Sequence, residues 1–216
     1  MILYFILLLI TAAIGYTMGS LNTMVLASNF VFHYNLDRLG TGNDWLSNFR
    51  RVYGWRGAAV LLLVEAIKDV IPLFAGGVLL GLRGYPDVGR AFAGFCVVMG
   101  RLWPVFYELK GTRAVMPLIF AGLFAAPSLG VVLAIVFVGS VFVFRYLPIA
   151  VVAEAVALIG ASLLVVDRKL TAYLLMFAGL AVIVRQIPLL KQISRGEVEK
   201  FSLREDLSYK FDEKFK

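Results

Sequence analysis

Long apolar runs limit what this chain can fold into more than any other feature of its sequence. Hydrophobic residues make up 61% of its 216 residues and charged residues only 16%, whereas a soluble domain is nearer half apolar and a quarter charged. A helix that crosses a bilayer needs roughly 20 consecutive, mainly apolar residues. The pattern predicts an all-α, polytopic integral membrane protein with about seven transmembrane helices, at residues 2–26, 57–80, 88–106, 114–126, 128–144, 147–166 and 170–190.

The placement of basic residues predicts the orientation of these spans. With the N-terminus outside, most of the 21 Lys and Arg residues fall on the cytoplasmic side, as the positive-inside rule requires. We therefore expect a multi-span membrane domain over residues 1–190 and a basic cytoplasmic tail over residues 191–216. The short run at 114–126 leaves five or six spans as alternatives. The net charge of +7 lies in loops and tail, so it indicates anionic lipid and not nucleic acid.

Two polar segments on the predicted cytoplasmic side are candidate anion sites. Residues 36–56 place Gly40 and Gly42 among several arginines, including Arg51. Glycines let backbone N–H groups approach a ligand closely, and arginines grip anions from several sides. Residues 110–113 combine two cations, a glycine and a threonine, which is a plausible phosphate cradle. The alternative for this second turn is an ordinary positive-inside loop.

Glu65, Lys68, Asp69 and Arg101 lie inside predicted spans, where ionised groups are costly and normally face protein or a watery cavity. Glu65, Lys68 and Asp69 are three and four residues apart, so they share one helix face. Either they neutralise one another and fix their helix in the bundle, or they contact substrate. Arg101 either extends to the membrane interface or reaches an anionic group beside the turn at residues 110–113.

A zinc site and an internal disulfide are not expected. The chain has one histidine, His33, and one cysteine, Cys96, which are far apart in the sequence. A zinc site, a Cys–His pair or an internal disulfide therefore has no residues to form it. We expect no cofactor.

Four sequence motifs together resemble those of the PlsY-type glycerol-3-phosphate acyltransferases of bacteria. GTGNDWLSNFRR at residues 40–51 is similar to the family pattern GSGNxGxTNxxR. GSLNT, beginning at Gly19, resembles GSxPT, and VEAIKDVIP in the second span resembles LDxxKG-P. GRLWPVFYELKGTRA, beginning at Gly100, resembles GHxFPVFxxFKGGKG.

Two motifs depart from the family pattern. KGGKG has become KGTRA, so that Thr112 and Ala114 replace glycines, and their Cβ atoms would crowd a phosphate bound against the backbone. A further family motif near the C-terminus is approximately HxxNIxRLxxGxExK. Here residues Gln186 to Lys200 read QIPLLKQISRGEVEK, with Gln186 in place of the histidine. These departures imply either a different substrate or weakened turnover.

The resemblance implies transfer of a fatty acyl group from acyl phosphate to glycerol 3-phosphate, which gives lysophosphatidic acid. It implies a multi-pass protein of the bacterial inner membrane, in contact with membrane lipid and supplied by an acyl-phosphate-forming partner enzyme. The implied catalytic residues are Thr41, Arg51, Lys110 and Arg113. The implied substrate-binding residues are Gly40, Gly42, Asn43, Ser47, Asn48, Gly111, Thr112 and Lys200.

Two other functions remain as alternatives. One is a non-catalytic relative that binds an anionic lipid or a protein partner. The altered KGTRA and QIPLLKQISRGEVEK motifs support it. The other is a small transporter. The sequence disfavours it because the chain lacks an internal repeat and the paired broken helices of transporters.

Overall fold

The computed structural model describes residues 2–23, 45–109 and 111–197, with the backbone alone at residues 45–58. Over these ranges the chain contains no strand and forms seven α-helices, which confirms the all-α prediction. They are α1 (Ile2–Ser20), α2 (Trp45–Gly81), α3 (Pro86–Leu102), α4 (Val115–Ala125), α5 (Pro127–Phe144), α6 (Leu147–Val165) and α7 (Lys169–Ser194). A short 3₁₀ helix (Val105–Tyr107) follows α3.

Four of the described helices, α1, α5, α6 and α7, are long and apolar enough to cross a membrane. Among the residues of α2 whose side chains are described, the charged ones are Glu65, Lys68 and Asp69, and they lie on one side of the helix. Leu63, Ile67 and Phe74 on α2 are 60%, 51% and 64% exposed, while Glu65 and Asp69 are buried. This arrangement of apolar residues outside and charges inside is what a helix among lipids requires. The chain is therefore an integral membrane protein.

The predicted breaks between helices are confirmed for the C-terminal half. Helix α4 ends at Ala125 and α5 begins at Pro127, with Ala126 extended between them. Proline suits the first position of a helix because its missing N–H is not needed there. Residues 166–168 separate α6 from α7, close to the predicted break.

Two predicted boundaries in the N-terminal half were wrong. Helix α1 ends at Ser20 and not near residue 26. Helix α2 begins at Trp45 and not at residue 57, so the second half of the polar segment at residues 36–56 is helical. The sequence carries the reason, since Trp45, Phe49 and Val52 recur at the spacing of one helix face. The glycine-rich first half lies outside the described residues, as does His33.

Glycines bring α1 and α3 into close contact at one end of the bundle. A Cβ atom at Gly19 would overlap the carbonyl oxygen of Val97, and one at Gly100 would overlap that of Tyr16. Interfaces of small residues allow this approach between membrane helices. As a result the C-terminal ends of α1 and α3 lie side by side, and the segments that follow them begin at the same place.

Candidate active site

A polar cleft lies where α1 and α3 end. It is open to its surroundings, and the space between its walls, open solvent included, is about 200 Å³. Residues from two distant parts of the sequence line it, among them Ser20, Asn22, Arg101, Tyr107, Gly111 and Thr112. The end of α1 thus forms one wall, and the end of α3 with its following turn forms the other. Both segments belong to motifs in the sequence, GSLNT and GRLWPVFYELKGTRA.

The wall after α3 is a turn that folds back onto the helix it leaves. The Thr112 N–H donates to the carbonyl oxygen of Arg101 at 3.2 Å, and the Leu109 N–H donates to that of Pro104 at 3.1 Å. Glu108 and Leu109 have φ of 51° and 59°, a left-handed conformation that is uncommon without glycine. A Cβ at Gly111 would overlap the carbonyl oxygens at the end of α3, so the return path requires glycine there.

Apolar side chains lie next to this wall on the same turn. Val105, Phe106 and Leu109 are 62%, 59% and 52% exposed. They belong to the segment that carries Tyr107 into the cleft. The polar cleft and an exposed apolar edge therefore both involve the short segment of residues 105–109. We call Val105, Phe106 and Leu109 the apolar rim.

Two hydrogen bonds hold the α1 wall in place. The Tyr16 hydroxyl donates to the carbonyl oxygen of Trp103 at 2.6 Å, which joins the last turn of α1 to the end of α3. The Lys68 ammonium donates to the carbonyl oxygen of Leu21 at 2.6 Å. Leu21 lies between Ser20 and Asn22, which both line the cleft. The position of this wall therefore depends on α2 as well as on α3.

Behind the cleft lies a group of four buried charges, which we call the charge cluster: Glu65, Lys68, Asp69 and Arg101. The Arg101 guanidinium makes a bidentate pair with the Glu65 carboxylate, with Nη1 3.3 Å from Oε1 and Nη2 on Oε2. Lys68 Nζ lies 3.1 Å from Glu65 Oε2, and Arg101 Nη2 lies 3.8 Å from Asp69 Oδ2. Two acids thus face two bases, and the cluster carries no net formal charge.

This arrangement bears on the alternatives for the charges in the spans. The three charges on α2 neutralise one another through Arg101 of α3, as the self-neutralising alternative predicts. Arg101 is only 5% exposed and is paired with Glu65, which favours the alternative in which it reaches an anionic group over the one in which it extends to the membrane interface. It nevertheless lines the cleft, so the cluster also reaches the candidate site.

Among the predicted site residues, the structure brings Gly111 and Thr112 into the cleft, with the half-buried Arg113 next to them. Ser47, Asn48 and Arg51 lie on the first turns of α2, where only the backbone is described. The remaining predicted residues lie outside the described ranges: Gly40, Thr41, Gly42, Asn43, Lys110 and Lys200. The roles of all of these residues stay predictions.

Sequence reasoning did not single out Tyr107 in the cleft, Tyr16 beside it or Glu154 in the bundle. Tyr16 and Tyr107 gave no signal, since aromatic residues at membrane interfaces are common. Glu154 did give one, because it is an acid within the apolar run of α6. It is fully buried, and neither carboxylate oxygen has a hydrogen-bond partner among the described residues. Within those residues, no group of three or more metal-ligating side chains occurs.

The fold is that of a known class of integral membrane acyltransferases. It matches the crystal structure of PlsY (YgiH), an integral membrane glycerol 3-phosphate acyltransferase, in its glycerol 3-phosphate form with a TM-score of 0.75. The lysophosphatidic acid form of that protein matches with a TM-score of 0.73. Each match has 20% sequence identity and covers 93% of this chain and 98% of the other.

Relatives of higher sequence identity carry the same name. Glycerol-3-phosphate acyltransferase of Myxococcus xanthus is 28% identical over 193 residues, or 88% of this chain and 94% of the relative. That of Neisseria meningitidis serogroup A is 25% identical over 87% of this chain and 94% of the relative. The profile of the family described as glycerol-3-phosphate acyltransferase matches residues 9–196. The chain belongs to the glycerol-3-phosphate acyltransferase family, which confirms the resemblance seen in the motifs.

Proposed function

We propose that this chain transfers a fatty acyl group from acyl phosphate to the 1-hydroxyl of glycerol 3-phosphate at the cytoplasmic face of a bacterial inner membrane. Family membership supports glycerol 3-phosphate as the acceptor. The cleft is the observation that carries the proposal for this chain. It joins Gly111 and Thr112 of the turn after α3 to the end of α1, and a basic, hydroxyl-bearing sequence such as KGTR at residues 110–113 suits a phosphorylated ligand.

The reaction needs no covalent enzyme intermediate, because acyl phosphate already carries a good leaving group. The acceptor hydroxyl oxygen forms an ester bond to the acyl carbonyl carbon, and the bond from that carbon to the phosphate oxygen breaks. The electron pair leaves with the phosphate, which also takes up the hydroxyl proton. The protein then has to place the two substrates together and stabilise charge on the leaving phosphate.

The predicted residues divide between these two tasks. The segment after α1 and the start of α2 would hold the acceptor, through Gly40, Thr41, Gly42, Asn43, Ser47, Asn48 and Arg51. The turn after α3 would hold the donor phosphate, through Lys110, Gly111, Thr112 and Arg113, with Lys200 as a further cation. Because the Thr112 N–H is bonded to the Arg101 carbonyl, Thr112 would offer its hydroxyl to the phosphate and not its amide.

Membrane placement fits a lipid product and a soluble acceptor. The apolar rim lies beside the cleft, where an acyl chain would remain among lipids. The donor would come from a partner enzyme that forms acyl phosphate. Residues 1–190 would form the catalytic membrane domain, and the basic tail from residue 191 would lie on the anionic cytoplasmic surface.

The test is turnover by purified protein in detergent, with acyl phosphate and labelled glycerol 3-phosphate. We expect labelled lysophosphatidic acid, and we expect Arg51→Ala to lower the rate by about a hundredfold or more, as removal of a charge-stabilising donor does. Arg38→Ala is the matched control, because Arg38 lies in the same polar segment but not at the motif position. Equal losses in the two variants would contradict the assignment of Arg51.

Gln186 of α7 is the observation that favours the non-catalytic alternative. It stands where the family motif has histidine, and it is only 1% exposed. An amide cannot exchange a proton as an imidazole does. Binding of glycerol 3-phosphate without product in the same preparation would favour this alternative. Release of labelled anion from loaded liposomes would favour a transporter instead.

A further inference from the structure

One carboxylate connects the two walls of the cleft. Glu65 binds Arg101 through both of its oxygens, and Arg101 lines the cleft on the α3 side. The same carboxylate contacts Lys68 at 3.1 Å. Lys68 in turn donates to the Leu21 carbonyl on the α1 side. A continuous series of polar contacts therefore runs from the end of α1, through α2, to the end of α3.

Stability alone gives a poor account of this cluster. Removing charges from water is costly, and replacing a buried ion pair by apolar residues of similar volume is often neutral or stabilising. Four charges that are each 9% exposed or less are thus not the cheapest way to pack two helices. The cluster does what apolar residues cannot do, because it supplies a directed donor to the Leu21 carbonyl and fixes the Arg101 guanidinium in one orientation.

Each of the two walls that the cluster connects carries a buried polar group without a hydrogen-bond partner among the described residues. Ser20 is 1% exposed, and its hydroxyl has no hydrogen-bond partner among the described residues. Arg101 Nε likewise has none within the described ranges. Both residues line the cleft, one on each wall. Buried polar groups of this kind are costly unless something binds them.

We infer that Glu65 and Lys68 are positioning residues, which hold the two walls at the separation that a phosphate group needs to bind Ser20 and Arg101 together. The inference rests on the proposed function, because the phosphate is that of a substrate. Lys68 acts through the Leu21 carbonyl on the α1 wall. Glu65 acts through the guanidinium of Arg101 on the α3 wall. Neither residue needs to contact the ligand itself.

The test removes one of these links without unbalancing the charge. In Lys68→Met with Asp69→Asn, one base and one acid are lost, and the Glu65–Arg101 pair remains. The donor to Leu21 is gone. We expect the melting temperature in detergent to change by only a few degrees, while the KM for glycerol 3-phosphate or the Kd for inorganic phosphate rises about tenfold or more and kcat changes less.

Asp87→Asn with Arg90→Met is the matched control. It also removes one acid and one base, and Asp87 and Arg90 are three residues apart on α3 with 3.7 Å between their charged atoms. Asp87 is exposed and Arg90 is half-buried, and the pair lies at the opposite end of α3 from the cleft. We expect it to leave KM and Kd unchanged.

Tyr16→Phe gives a second, milder variant should the first fail to fold. It removes the hydroxyl that joins α1 to the Trp103 carbonyl and retains the ring. We expect a smaller rise in KM or Kd in the same direction. Unchanged affinity in whichever of these variants folds would overturn the inference and leave the cluster as a structural lock.

Failure of the proposed function would give a different result. If the wild-type protein binds inorganic phosphate or glycerol 3-phosphate but gives no product, acyl transfer fails, and the variants still test positioning through Kd. If the wild-type protein turns over and the variants keep its KM, positioning fails and acyl transfer stands.

Discussion

Two buried acids, Glu65 of α2 and Glu154 of α6, have nearly equal burial and opposite surroundings. They are 2% and 0% exposed. Glu65 is paired with Arg101 and Lys68, whereas neither oxygen of Glu154 has a partner among the described residues. Burial alone therefore does not tell what a charged residue does inside a membrane bundle. The partners do, and those of Glu65 come from a second helix beside the cleft.

Replacement of Glu65 by leucine should have the largest effect. It leaves Arg101 and Lys68 buried without the carboxylate that faces both of them, and such a loss costs about 3–5 kcal/mol. We expect a correspondingly lower resistance to unfolding by heat or by denaturing detergent. If Glu65→Leu were as stable as the wild type, the ion pairs of Glu65 would not distinguish it energetically from Glu154.

Replacement of Glu154 by leucine should have the opposite sign. A buried polar group without a partner costs about 1–3 kcal/mol, and an apolar side chain in its place avoids that cost. The unfolding free energy of Glu154→Leu, measured under the same conditions, should therefore increase. A clear decrease would mean that Glu154 has a partner in the membrane that the described residues do not supply.

The smallest effect should come from Gly160→Ala in α6, the helix that carries Glu154. A Cβ at Gly160 meets nothing within 4 Å, and alanine is about 1 kcal/mol more favourable than glycine within a helix. We expect a small increase in unfolding free energy. Gly100→Ala in α3 is the contrasting variant, because its Cβ would overlap the Tyr16 carbonyl of α1. It should be destabilised, and equal stability of the two variants would contradict the tight packing beside the cleft.

The helices were largely predictable from the sequence, because each apolar run must find its own backbone hydrogen bonds in a bilayer. The runs ending at Phe144 and Val165 agree with the structure within one residue. The start of α2 was not predicted, since polar residues between Trp45 and Arg56 masked a helical repeat. Hydropathy measures average polarity and is less sensitive to periodicity.

The site was predictable only in part. The KGTR turn was recognised from its residues, and Gly111 and Thr112 do line the cleft. Its opposite wall at Ser20 and the pairing of Glu65 with Arg101 depend on how α1, α2 and α3 pack. Close contacts at Gly19 and Gly100 set the packing of α1 on α3, and those between Gly76 and Gly89 set the packing of α2 on α3, and a single sequence does not pair these residues with one another. The contacts between segments that are distant in the sequence could therefore not be predicted from it.

The apolar rim has a consequence for how a fatty substrate travels. Val105, Phe106 and Leu109 are uncovered on the same short turn that brings Tyr107 to the cleft. A molecule with a long hydrocarbon tail and an anionic head, such as the acyl donor we propose, would reach these residues by lateral diffusion within one leaflet. Its tail would stay among the lipid chains, and only its head would move from the membrane surface into the cleft. Binding of the substrate and release of the product would then not require the acyl chain to pass through water. That transfer would cost about 0.8 kcal/mol for every methylene.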